Sequence, residues 1–195
     1  MTDKRIERIK LKIDKYKKAL AIDKKQWGGN YHDGQGIRYI IPELYIQIKD
    51  YNSGLKYFNW FKKNFPDDSC YPIFLFEWTF VLFKNNKLNE AEKKLHHTFF
   101  SNTYLLDKFL EKEFLEFDKS ESSNWEFKSM TEHFHYNKEN EEFKEFAYWV
   151  SSKLQTREFL DKANRFIEIK QLLKSEPLGQ KRIKLVEELS RIEYE

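Results

Sequence analysis

Two segments, "KDYNSGLKYF" at residues 49–58 and "NKLNEAEKKL" at 86–95, carry matching side chains at a constant offset of 37 residues. Tyr51 corresponds to Leu88, Gly54 to Ala91 and Phe58 to Leu95. Large, small and large residues at steps of three and four belong to one face of an α-helix, and their return at a fixed distance marks an internal repeat. An apolar stretch precedes each segment, "IRYIIPELYIQI" at 37–48 and "CYPIFLFEWTFVLF" at 70–83. Each copy therefore reads as helix, tight turn, helix.

The surrounding sequence agrees with that reading. Hydrophobic residues make up 40 % of the 195, aromatics 17 %, and there are only six Gly and four Pro. Such a composition excludes a disordered chain and a turn-rich β-fold, and it predicts one all-α domain over residues 1–195. Ile6, Ile9, Ile13, Tyr16 and Leu20 form a helical stripe among lysines and arginines, so residues 3–24 should be one amphipathic helix within a basic segment, 1–25. "WGGNYHDGQGIRY" at 27–39 breaks it with four of the six glycines. Beyond residue 103 the repeat fades but helical spacing continues. "YLLDKFLEKEFLEF" (104–117), "WEFKSMTEHFHY" (125–136), "NEEFKEFAYWVSSKL" (140–154), "TREFLDKANRFIEIKQLLKS" (156–175) and "QKRIKLVEELSRIEY" (180–194) each read as a helix, with "DKSESSN" at 118–124 as a linker.

Residues 38–103 resemble tetratricopeptide repeats. Ile41, Tyr45, Tyr51, Gly54, Phe58 and Pro66 occupy the large, aromatic, aromatic, small, aromatic and proline positions of that motif of roughly 34 residues. Trp78, Leu82, Leu88, Ala91 and Leu95 repeat the pattern, with Thr103 in place of the proline. Pro42 departs from it: a proline deep in a helix loses a hydrogen bond, so the helix starts about a turn earlier or kinks there. Residues 146–173 read as a third, degenerate hairpin. The resemblance implies antiparallel helix pairs stacked as a short solenoid, completed by further N- and C-terminal helices over 1–25 and 104–195. It also implies a groove, formed by the first helix of each pair, that holds a peptide or protein segment. Glu43, Tyr45 and Gln47 of the first pair and Glu77 and Thr79 of the second are the expected exposed groove residues, with Tyr31, His32 and Arg38 at its rim.

Nothing points to chemistry at a reacting centre. His96 and His97 are adjacent and diverge by about 100° on a helix, and His133 and His135 suit a shared metal no better there. The single Cys70 excludes an intramolecular disulfide and a cysteine metal cluster, and no nucleophile signature surrounds it. "GQGIRY" lacks the third glycine and the preceding strand of a dinucleotide site. Glu77, set in an apolar helix, needs a partner such as Arg38 or a tyrosine. We therefore expect no catalytic residues, no metal and no cofactor.

Charge is uneven. Residues 1–25 hold ten Lys/Arg against four Asp/Glu, and residues 104–148 hold six against twelve. The basic helix carries one aromatic, which argues against single-stranded nucleic acid as its partner. No signal-peptide pattern opens the sequence, and the longest apolar run, 73–83, falls short of the roughly 20 residues that cross a bilayer. These features predict a cytoplasmic protein- or peptide-binding adaptor or regulator. An immunity or anti-defence inhibitor of one specific protein is one alternative. A nucleic-acid-binding or hydrolytic enzyme, with its site in residues 27–39 or in the acidic middle, is another.

Overall fold

The computed structural model describes residues 2–194. Among them are nine α-helices, two short 3-10 turns and no strand. The helices are α1 (Asp3–Gln26), α2 (Ile37–Gln47), α3 (Tyr51–Asn64), α4 (Pro72–Lys84), α5 (Leu88–Ser101), α6 (Leu105–Leu110), α7 (Lys144–Leu154), α8 (Arg157–Ser175) and α9 (Gln180–Tyr194). None of the described helices is long and apolar enough to cross a membrane. The chain divides into two compact units, Met1–Cys70 with Phe80–Leu88, and Tyr71–Thr79 with Asn89–Glu195. The division falls inside α4.

The internal repeat is present in the backbone. α2 ends at Gln47 and α4 at Lys84, α3 spans Tyr51–Asn64 and α5 spans Leu88–Ser101, so these bounds recur at the offset of 37. The turns repeat too. Lys49 (φ 58°) and Asn86 (φ 57°) both adopt the left-handed conformation. Asp50 donates its amide to the Tyr45 carbonyl at 3.0 Å, and Lys87 donates to that of Leu82 at 2.9 Å. One residue in left-handed geometry thus closes the first helix of each pair. The hairpin formed by α7 and α8 is built otherwise: Gln155 is right-handed and the Thr156 hydroxyl caps α8 through the Phe159 amide.

In the first unit, Ile9, Ile13 and Leu20 of α1 pack with Ile41, Leu44 and Tyr45 of α2 and Tyr57 of α3. α2 starts at Ile37, about a turn before Pro42, the first of the two arrangements expected for this proline. Pro42 has no N–H for the Arg38 carbonyl four residues earlier, and the Tyr57 hydroxyl donates to that carbonyl at 2.7 Å instead. Gly54 lets α3 approach closely; a methyl group there would rest 3.5 Å from Tyr45 Cβ and from both Val81 methyls.

In the second unit, Phe76 sits among the rings of Phe109, Phe134, Tyr136 and Phe146, while Phe100 and Phe159 belong to a further ring cluster around Phe99. Here two expectations fail. The stretch 104–117 is helical only to Leu110, where Glu111 turns left-handed, and 125–136 forms 3-10 turns (Asn124–Glu126 and Lys128–His133) rather than an α-helix. Tertiary partners outweigh the local period. Asn102 donates to the carbonyls of Trp125 and Phe127, and Glu126 pairs with the buried Lys170. Nor is 118–124 a free linker. The Ser120 amide donates to the Lys170 carbonyl at 2.9 Å, and Lys119 is buried over the Tyr104 ring and paired with Glu121.

Candidate functional site

The glycine stretch folds as a structured cap. Asp23, near the end of α1, accepts the amides of His32 at 2.8 Å and Asp33 at 3.1 Å. Asp33 in turn accepts the amides of Ile37 and Arg38, occupying two of the donors that open α2. Its carboxylate also pairs with the Arg38 guanidinium at 2.9 Å, and Asp68 takes the other side of that guanidinium at 3.0 Å. Tyr39 donates its hydroxyl to Asp68, which also accepts the amide of Cys70. Burial works against the Arg38 charge, but Asp33, Tyr39 and Asp68 together hold its pKa above the ordinary arginine value. Arg38 is therefore engaged within its own unit and is not the partner of Glu77. His32 is exposed and stacks on Trp27 at 4.5 Å.

A cleft of about 350 Å³ opens beside this cap, lined by Lys17, Leu20 and Ala21 of α1, Tyr31, Tyr45 of α2, and Ser53, Lys56, Tyr57 and Trp60 of α3. Two of the expected groove residues, Tyr31 and Tyr45, line it. His32, Arg38, Glu43 and Gln47 do not, and Gln47 donates to Glu43 along α2 at 2.7 Å. The Tyr31 ring lies edge-on to Trp60 at 5.6 Å, and Tyr57 packs against Trp60 at 5.1 Å. Lys17 stands over the Tyr45 ring at 5.2 Å and Lys24 over that of Tyr31 at 4.8 Å. Burial, with Asp23 adding to it, raises the pKa of Tyr31 above the ordinary phenol value. The Tyr57 hydroxyl is likewise pushed up, chiefly by burial, and stays protonated as the donor to Arg38.

Glu77 and Thr79 correct the sequence reading. They are 1 % and 0 % exposed, because residues 72–82 are buried on every side and α4 offers no face to a groove. Glu77 accepts the Tyr136 hydroxyl at 2.7 Å. Thr79 bonds back to the Leu75 carbonyl and meets Thr98 of α5.

The lysines and Ser53 escaped the sequence reading because the cleft draws on three helices and a loop. Its one local signal is the aromatic run Tyr57, Phe58, Trp60, Phe61, too dense for a single buried face. Of the histidines, His96 packs against Phe159 at 5.3 Å. Burial and the nearby Lys94 lower the His97 pKa to about 4. Among the described residues no group of three or more His, Cys, Asp or Glu could hold a metal ion.

Comparison with protein families, with curated proteins and with solved structures gives no match.

Proposed function

We propose that this chain is a helical-repeat module that binds a protein or peptide segment, acting as a cytoplasmic adaptor or regulator with no catalysis of its own. The observation that carries the reading is the open cleft of the first unit, lined by aromatic rings and lysines from α1, α2 and α3; the left-handed turn that recurs at Lys49 and Asn86 agrees with it. Packed helices present side chains from several elements to one bound segment, as α1, α2 and α3 do at this cleft. Aromatic rings supply contact area at low cost in conformational entropy. The resemblance of residues 38–103 to tetratricopeptide repeats supports the same assignment.

Random-peptide display against the intact chain tests it. The expected result is enrichment of peptides that Lys56→Glu no longer retains. Lys56 is exposed on α3, so this variant keeps the fold. Failure to enrich any peptide would overturn the proposal, and enrichment unchanged in the variant would overturn the cleft as its site.

A further inference from the structure

The charged groups of the cleft are one-sided: its lining holds two lysines and no carboxylate. Lys56 makes no hydrogen bond, ion pair or ring contact with any described residue, and Lys17 contacts only the Tyr45 ring. Tyr45 is 5 % exposed, and its hydroxyl has no hydrogen-bond partner among the described residues. The Ser53 hydroxyl has none either; that residue's amide alone is used, donating to Asp50. Two ammonium groups and two hydroxyls thus line one cleft whose lining contains no carboxylate. The nearest acid of α1 in sequence, Asp23, already serves the amides of His32 and Asp33. The rest of the wall is Leu20, Ala21 and the aromatic rings of Tyr31, Tyr57 and Trp60.

We infer that the cleft receives an acidic side chain of the bound segment, an Asp or Glu carboxylate next to an apolar residue. This rests on the peptide-binding reading above and specifies its ligand. Two ammonium groups and two hydroxyl donors, with no carboxylate among them, complement an anion, and the apolar wall complements the neighbouring side chain. A volume of about 350 Å³ lies at the small end of ligand cavities, so it takes one or two side chains rather than a docked helix. A single-stranded nucleic acid fits less well, because base stacking needs free ring faces. Lys17 covers the Tyr45 face, Lys24 that of Tyr31, and Tyr57 packs against Trp60.

The test uses the full chain and three pools of short fluorescent peptides, in which Phe and Leu alternate with Asp/Glu, with Asn/Gln or with Lys. A single-stranded thymidine oligomer is the fourth probe, and anisotropy is read at low and high salt. The expected result is binding of the acidic pool about tenfold tighter than the Asn/Gln pool, a preference that salt weakens. Lys17→Glu with Lys56→Glu should remove that preference, and Lys18→Glu, on α1 outside the cleft, should retain it. All three lysines are exposed, so far-UV circular dichroism should be identical across the variants. Equal binding of acidic and Asn/Gln pools, or a preference that survives the double substitution, overturns the carboxylate site and leaves the peptide-binding reading standing. Binding of the oligomer alone, or of no probe, overturns both.

Discussion

Replacing Tyr57 with Phe removes one oxygen and leaves the ring in the core, yet it should cost a hydrogen bond that α2 cannot supply for itself. Pro42 has no N–H for the Arg38 carbonyl, and the Tyr57 hydroxyl, 2.7 Å away, is the substitute donor. Tyr57 is 4 % exposed, so the carbonyl it leaves behind has little access to water along that path. Removing one partner of such a pair costs about 1–3 kcal/mol. Pro42→Ala restores a backbone N–H at the position that α-helical geometry assigns to the Arg38 carbonyl. In that background Tyr57→Phe should therefore cost less, with a coupling of about 1 kcal/mol between the two sites. The double-mutant cycle cancels the loss of proline packing, which appears on both sides. Hydrogen exchange of peptides from α2 and α3, measured across a urea series, confines the readout to the unit that holds the pair. Costs that add to within about 0.3 kcal/mol would refute the reasoning, because they would show that the hydroxyl does not stand in for the missing amide.

Three further outcomes follow from the same structure. Asp33→Ala removes the acceptor of two α2 amides together with a buried partner of Arg38, and it should destabilise by about 3 kcal/mol or more. His32→Ala, which loses only an exposed stack on Trp27, should cost about 0.5–1 kcal/mol; equal drops in melting temperature would contradict this ranking. Gly54→Ala places a methyl group in ordinary contact with Tyr45 and Val81 and should stabilise by about 0.5–1 kcal/mol. Gly54→Leu should destabilise by overpacking, and urea midpoints falling for both variants would show that the Ala reading is wrong. His97 is held neutral, with a folded pKa of about 4 against an ordinary 6.5, by burial first and Lys94 second. Between those values the unfolded chain takes up a proton that the folded chain does not, so this share of stability is present above about pH 6.5 and is lost as pH falls toward 4. His97→Gln should flatten the melting profile over that window, and a profile matching the parent's would exclude His97 as a source of the slope.

The parts of the fold legible in sequence are those written in local period. The stripe from Ile9 to Leu20 marks α1, and the offset between Tyr51 and Leu88 places the first residues of α3 and α5. Residues 104–136 misled because their apolar spacing is helical while their backbone is held by distant groups: Asn102 on the Trp125 carbonyl, Lys170 on Glu126 and on the Ser120 amide. Glu77 divides the reading: a carboxylate set in an apolar helix needs a partner such as a tyrosine, and Tyr136 is one, but it lies inside the core, so the exposed groove position expected for Glu77 is not found. Of the cleft, the expected groove residues include only Tyr31 and Tyr45. Lys17 and Lys56 resemble every other surface lysine in sequence, and only the packing of α1 against α2 and α3 brings them to one cavity.

The strap around Ser120 also governs where this chain tolerates being opened. Its serines and acids make residues 118–124 the natural place to cut the polypeptide, splice in a tag or rejoin permuted ends. With Lys119 buried and the Ser120 amide bonded to α8, an insertion there would pull apart the second unit. Leu178 is 94 % exposed and Gly179 has open space around it, so the same insertion belongs between α8 and α9.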